Sequence, residues 1–403
     1  MHRNRYIVLL LLLAWSLTGH ATSKGMRFFY RLGERVDQYL LQKIDTNYIT
    51  LPEHSWRVAL TFGTAGDNFT IHSRATYEGI PYPLTISLYN RTPLSVDLGF
   101  NVGYRGFGFG YSWDVLHAYA RRLSFSFGSK FIGIDFAMQT NTSGQTDVAF
   151  EGQLLPTLSH KSNTSITNTR LNIWYALNAA HYSHNASIKQ SYIQRKTAGS
   201  LMLHLSYYSS QIAFGDTMFI KDATIPTIQA LMSGVKGMTT RQVAVGLGYG
   251  INYTPNQGKV LLHASAAAML VCYSVNHVTY YLPDSLRSDL PSEPMFALRS
   301  SFPVHVTGNV RAAVSWEICP WVHLAAWAIG DNIRFHSEKT ANNNELFLSD
   351  WNWQVHLTVG VRFGAGKKRV HEALKDEPLS PGQPMRTTKL PKWITGYFYS
   401  PSL

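Results

Sequence analysis

The sequence predicts an all-β fold, an antiparallel transmembrane β-barrel of about twelve strands (range about ten to fourteen), led by a short N-terminal periplasmic helix. Three observations carry that prediction. A cationic start followed by one short apolar run marks the chain for export. Downstream, bulky apolar residues alternate with polar or small ones, segment after segment, at the two-residue period of a strand. Every later apolar stretch is interrupted by Arg, Asp, His, Asn or Gly, so a chain that crosses a membrane must do so with strands.

His2, Arg3 and Arg5 precede the apolar run Tyr6 to Trp15, and small residues follow at Gly19 and Ala21, which predicts a signal peptide over 1–21. The apolar run is far short of the roughly 20 residues that a membrane helix needs. Residues 22–54 are expected to stay in the periplasm. There Phe28, Phe29, Leu32, Val36, Tyr39 and Leu40 recur at helical spacing among Arg31, Glu34, Arg35 and Asp37. An amphipathic helix lying across the barrel mouth or on the inner-leaflet surface is expected.

The barrel is expected over 55–364. Trp56, Val58, Leu60 and Phe62 alternate with Arg57, Ala59, Thr61 and Gly63; Val96, Leu98, Phe100, Val102 and Tyr104 alternate with Asp97, Gly99, Asn101, Gly103 and Arg105. Past Gly106 the rings move to Phe107, Phe109 and Tyr111, so a glycine bulge is expected there. Val243 to Tyr253, Val304 to Ile318 and Trp351 to Phe363 repeat the pattern. The expected strands are Trp56 to Gly63, Thr85 to Tyr89, Ser95 to Trp113, Arg121 to Gln139, Arg170 to Asn178 and Ser183 to Gln194. They continue with Ser200 to Phe214, Gln242 to Tyr253, Lys259 to Tyr273, Pro303 to Ile318, Trp321 to Phe335 and Asp350 to Phe363. Several exceed the length of soluble strands and reach the roughly 9 to 11 residues that cross a membrane at a tilt.

An even count places both ends in the periplasm and the segments after Phe214, Tyr273 and Phe335 outside, with short turns at Thr254 to Gly258 and Cys319 to Pro320 inside. Under this count the long segment Thr140 to Thr169 falls on the periplasmic side, against the pattern. Trp56, Tyr111, Trp113, Trp316, Trp321, Trp351 and Trp353 stand near run ends, where aromatic girdles meet lipid headgroups. The Pro- and Lys-rich residues 365–403 are expected to form a disordered tail.

Composition agrees. Charged residues are 15% and aromatic residues 13% of 403, few charges and many rings for a surface that faces lipid rather than water. A soluble sandwich would expose Lys, Glu and Thr on its polar face, where this chain offers Gly, Ala, Asn, His and isolated Arg. Cys272 and Cys319 are the only cysteines, too few for a disulfide framework or a metal motif, and two unpaired buried thiols are expected. The net charge of +12 suits acidic lipopolysaccharide or anionic solutes, and export argues against nucleic acid. Outer-membrane lipid, lipopolysaccharide and the barrel-assembly machinery are therefore the expected partners of a monomer in the cell outer membrane.

No metal cluster, nucleotide loop or nucleophile elbow is apparent, and no cofactor or catalytic residue is expected. His204, Ser206, His305, His356 and Asp97 supply the residue types of a lipid hydrolase or acyltransferase, but their spacing does not group them. The candidate lumen residues are His356 and the set Arg57, Arg105, Arg311 and Arg362, opposed by Asp97 and Glu317, whose charges brace the interior or bias passage toward anions. Gln190, Gln194, Lys196 and Ser200 either fix a tight turn or line the lumen as a network that plugs it or selects solutes.

One stretch carries a family resemblance. Tyr175-Ala-Leu-Asn178, His181-Tyr-Ser183, Gln190 to Gln194 and Lys196-Thr-Ala-Gly-Ser200 resemble the signature of the domain of unknown function 4421 family of Bacteroidetes. Asp45-Thr-Asn-Tyr48-Ile49, Pro52, Trp56, Gly103 to Gly106 and Val359 to Phe363 extend the resemblance over most of the mature chain. Thr197 stands where that family usually has Ser, and His181-Tyr-Ser183 where Phe-Ser-Tyr is common. The resemblance implies an outer-membrane barrel without an assigned activity. The tail beyond Phe363 departs from barrels that end on an aromatic residue, which implies an internal assembly signal.

Overall fold

The alternating runs pair edge to edge into one sheet that closes on itself. The computed structural model describes residues 44–364 except 76–83, 92–94, 117–119, 130, 143, 151–152, 155–159, 163, 214–234, 256–257, 281–294, 300–304 and 337–344. The expected signal peptide, periplasmic helix and tail lie outside the described residues. Twelve antiparallel strands form the wall: β1 (Trp56–Ala75), β2 (Asp97–Tyr104), β3 (Phe107–Asp114), β4 (Ala120–Gly128), β5 (Ile132–Asn141) and β6 (Ser165–Ala176), then β7 (Ala198–Ala213), β8 (Val235–Tyr253), β9 (Val260–Tyr280), β10 (Val306–Cys319), β11 (Val322–His336) and β12 (Glu345–Phe363). Each pairs with the next, and β12 closes on β1 in register from Trp56↔Phe363 to Arg74↔Glu345. Closure removes the unpaired edges that lipid would leave unsatisfied.

The expected total of twelve stands, with a different membership. Ser95 to Trp113 is two strands, since Tyr104 pairs with Phe107 across a two-residue turn, Arg105-Gly106. That turn, not a bulge, moves the rings from even to odd positions: directly opposed residues share a face, so Phe100, Val102, Phe109 and Tyr111 all point the same way. Arg121 to Gln139 is likewise two strands, turned back after Gly128, which pairs with Gly133. Two expected strands are not separate wall strands. Leu84–Arg91 pairs with Asn68 to Ala75 and β2 with Trp56 to Gly63, successive stretches of β1, so both belong to one descending stroke. Ser183 to Gln194 is no strand of the wall at all, as described below.

The extra turn after Tyr104 offsets the merging of Leu84–Arg91 with β2, so β3 and β4 run as expected, and the reversal after Gly128 is what inverts β5 and β6. The segment Thr140 to Thr169 thereby moves to the end shared with the connections that follow β7, β9 and β11, which removes the exception to the pattern. At that end Gly144–Phe150, His160–Ser162 and Met295–Arg299 lengthen the wall, and β9, 21 residues long, runs past the expected Tyr273.

The two faces match the expected polarity. Outward residues such as Leu60, Leu203, Leu247, Val314 and Leu357 are exposed, and their cross-strand neighbours form a continuous apolar belt. On β8 the belt runs from Tyr253 to Val245 and gives way to exposed Arg241, a length of the order of the roughly 9 to 11 residues that span hydrocarbon. Trp56, Tyr104 and Phe363 cluster at its lower border, with centroids 4.8 and 6.4 Å from the Trp56 ring. Both cysteines are free, and neither is buried: Cys272 is exposed at a bulge opposite Val243 and Ala244, contrary to expectation. Among the described residues no helix is long and apolar enough to cross a membrane.

Candidate functional site

The lumen is filled in layers, and the layer nearest Trp56 and Phe363 is a loop of the barrel itself. Between β6 and β7, residues 177–197 turn inward instead of making a short hairpin. Tyr182, Ser183, His184, Asn185, Ala186 and Ser187 are all buried, although none lies in a wall strand. Two wall glycines make the room: a Cβ on Gly250 would sit 2.1 Å from the Tyr182 hydroxyl, and one on Gly128 would sit 1.9 Å from Asn185 Nδ2.

Residues of the family motif hold the neck of this plug. Asn178 donates its backbone N–H to Ser200 Oγ at 2.9 Å and its side-chain amide to the Gly199 carbonyl at 2.9 Å, tying exit to re-entry. Gln194 is its central crosslink. Its Oε1 accepts from Ser183 N at 3.0 Å and from Asn252 Nδ2 at 3.1 Å, while its Nε2 donates to the carbonyls of His181 at 2.6 Å and Lys196 at 2.9 Å. Below, Ile49–Thr50 pairs with Ile193–Gln194, and Ile49, Leu51, Ala186, Tyr192 and Leu261 make a small apolar core under the plug. Both sequence readings of the glutamine motif thus meet in one element, a tight turn that occupies the lumen.

Above it lie charges. Asp135 of β5 receives Arg311 Nη1 at 2.9 Å and also contacts Lys189 of the plug. His184 stacks edge-on against Trp174 (4.8 Å) and His263 (5.1 Å), with the Tyr182 hydroxyl 3.0 Å from Nδ1 and Arg311 Nη1 3.3 Å from Nε2. Burial, and then Arg311 and the neighbouring imidazoles, hold the His184 side chain well below its ordinary pKa. Arg362 donates to Glu317 Oε1 at 2.9 Å and to Gln190 Oε1 at 3.3 Å. Higher still, Arg122 donates to Gln139 Oε1 at 2.7 Å and lies 2.8 Å from His356 Nε2, and Arg170 pairs with Asp331. Asp67, Asn168, Tyr208 and Asp350 form a hydrogen-bonded layer above these. The last described layer is apolar, with buried Ile71, Leu348 and Phe335 in one cross-strand row and Ile166, Ile212 and Met238 in another.

Of the expected lumen residues, Arg57, Asp97, Arg311, Glu317, His356, Arg362, Gln190, Gln194 and Ser200 face inward, and Arg362 with Glu317 is a true pair. Arg105 stands at the lower rim: it sits in the β2–β3 turn at φ 51°, donates to the Pro52 carbonyl at 3.3 Å and lines a small cavity with Arg57, Gln190 and Arg362. Lys196 is exposed with its ammonium 5.2 Å above the Tyr48 ring, and Tyr175 points outward, 5.7 Å from the Phe131 ring. The suggested hydrolase residues do not assemble. His204 lies 3.4 Å from Asn172, His356 beside Arg122, and His305 5.9 Å from the His336 ring. A different chain of contacts was missed: Ser265 Oγ is 3.2 Å from His263 Nε2, and His263 Nδ1 is 2.8 Å from Asn252 Oδ1. Its legible trace was His263-Ala-Ser265 on one face of a strand. Among the described residues no group of three or more His, Cys, Asp or Glu is placed to hold a metal ion.

The model of the family described as domain of unknown function (DUF4421) matches residues 43–363, which is most of the chain. The chain belongs to this family. The match spans the whole wall and the plug. No curated protein matches the chain. Among solved structures it is similar to the outer membrane protease OmpT from Escherichia coli, at 11% identity and a TM-score of 0.37, over 78% of this chain and 98% of that one. It is also similar to the outer membrane protein OprG from Pseudomonas aeruginosa, at 10% identity and a TM-score of 0.27, over 78% and 100%. The β domain of the Bordetella autotransporter BrkA matches at 10% identity and a TM-score of 0.29, over 77% and 100%.

Proposed function

We propose that this protein is a plugged pore of the bacterial outer membrane, a monomer whose barrel is closed by its own loop 177–197, and not an enzyme. The carrying observation is the inward loop, buried from Tyr182 to Ser187 and tied to opposite walls through Asp135, Asn252, Arg311 and Arg362. The apolar belt fits it to lipid, and the net charge of +12 fits it to lipopolysaccharide as a neighbour after delivery by the barrel-assembly machinery. Hydrogen bonds to a plug cross-link the wall and exclude solute, yet each is individually modest, so the plug is able to leave as a unit.

Planar-bilayer conductance tests this. The wild-type barrel is expected to be silent, and deletion of residues 182–190 in a barrel that also carries Arg122→Ala and Asp67→Ala, which cut the cross-lumen contacts above the loop, to produce stepwise currents. Steady currents from the wild type would remove the plug from its role, and a silent deletion variant would remove the pore.

A second reading rests on Ser265, His263 and Asn252. Asn252 donates its amide to Ser183 O at 2.8 Å and to Gln194, so its Oδ1 is free to accept from His263 Nδ1, leaving Nε2 to take the Ser265 proton. The plug lies over this arrangement, His184 against His263, so ester hydrolysis would need the plug displaced. A plug-deleted barrel that cleaves a soluble aryl ester, and a Ser265→Ala partner that does not, would favour this reading.

A further inference from the structure

We propose that the mid-lumen cavity above the plug is a binding site for a small dianionic oxyanion of the phosphate class, with Arg57 and Arg122 as its principal ligands. The cavity measures about 130 Å³ and is lined by Arg57, Arg122, Arg170, Lys189, Arg311 and one carboxylate, Asp135. A water molecule needs roughly 10–15 Å³ of such space, so the cavity holds a multi-atom solute or several waters.

The charges around it do not balance. Arginine stays protonated even when buried, so four guanidinium groups here are permanent cations. Asp331 meets Arg170, and Asp135 is shared between Arg311 and Lys189. Arg122 hydrogen-bonds only to neutral acceptors, Gln139, Gln354 and His356, while the Asp97 and Asp67 carboxylates act on its charge without a hydrogen bond to it. Arg57 has no hydrogen-bond or ion-pair partner among the described residues, and it feels the like charge of Arg362. Its guanidinium lies across two facing glycines: a Cβ on Gly103 would be 3.0 Å from Nη2 and one on Gly108 3.9 Å away. Bulkier residues there would occupy the space the guanidinium uses.

Buried cations without counter-charges are costly, and planar guanidinium forks fit tetrahedral oxyanions in a bidentate manner. A phosphate dianion seated between Arg57 and Arg122 neutralises both, accepts from donors that no protein group satisfies with charge, and braces the layer on which Lys189 of the plug rests. The site is independent of conduction. A barrel silent in bilayers can still bind phosphate, and a conducting one can fail to.

Isothermal titration calorimetry of the full chain refolded in detergent micelles tests it, using inorganic phosphate against chloride at matched ionic strength. Saturable phosphate binding without a matching chloride signal is expected. Arg57→Gln and Arg122→Gln, each checked for folding by heat-modifiable gel migration, should each weaken binding by about tenfold or more. Absence of saturable binding in the wild type, equal binding of chloride, or a folded variant of either kind that binds phosphate as tightly as the wild type overturns the proposal. Failure of one variant to fold leaves the other to decide.

Discussion

The two faces of β12 obey different physics. Outward, Val355, Leu357, Val359 and Val361 meet hydrocarbon, where one bulky apolar group serves as well as another. Inward, Gln354, His356, Thr358 and Arg362 each meet named partners on other strands: Arg122, again Arg122, Thr61 and Glu317. The outer face is a composition and the inner face is a set of assignments. Substitutions should therefore be judged by chemical class outside and by partner inside.

The largest expected loss comes from orphaning the inner charges. Asp135→Ala leaves Arg311 and Lys189 buried without their shared carboxylate, and removing one partner of a buried pair typically costs about 3–5 kcal/mol. Urea unfolding in lipid vesicles should show that loss, and a cost below about 1 kcal/mol would mean water or other groups already compensate these charges. On the outer face a volume change is tolerated and a charge is not. Leu357→Arg near the belt's middle should cost about 2–4 kcal/mol, whereas Leu357→Ile should be nearly neutral.

The same contrast explains what the sequence makes legible. The outer face repeats at a fixed spacing, so local alternation reveals it on nearly every strand. The expected total of twelve agrees with the wall through compensating differences, two hidden turns against two runs that are not separate wall strands, because alternation reports the face of a residue and not the direction of its strand. The shift from Tyr104 to Phe107 did contain the turn, since a two-residue reversal changes parity without changing face. Inner contacts leave no such trace: His184 and Arg311 are 127 positions apart. Even so, Ser183-His-Asn-Ala-Ser187 has no bulky apolar residue on either parity, so it has no flank to offer lipid. That absence was the readable sign that Ser183 to Gln194 belongs inside.

Within the lumen, plug contacts should matter less to global stability than to closure. Gln194→Ala removes five hydrogen bonds at one position and leaves buried partners such as Ser183 N unsatisfied, a cost of about 1–3 kcal/mol. Because the wall ladders are untouched, most of that loss should appear as loosening of the plug. Limited proteolysis should cut within 177–197 in the variant and not in the wild type, while the heat-modifiable shift is unchanged. Simultaneous loss of the barrel would show instead that plug and wall fold as one cooperative unit.

The smallest effect expected is that of acidity, and it separates the plug from the wall without any substitution. His184 is held neutral, its pKa well below the ordinary 6.5, by burial first and by Arg311 and its imidazole neighbours next. A depressed pKa means the unfolded or expelled loop binds the proton more readily than the seated one. The stabilisation is therefore complete above pH 6.5 and is lost as pH falls below it, by about 1.4 kcal/mol for each pH unit until the seated imidazole itself titrates. Protease access to the plug should rise between pH 7.5 and about 5.5, and His184→Gln should flatten that dependence. The apolar belt carries no titrating group at Leu357 or Val359, so its contribution is constant across this window. A pH profile identical in wild type and His184→Gln would move the titration to another side chain and break the link between this imidazole and closure.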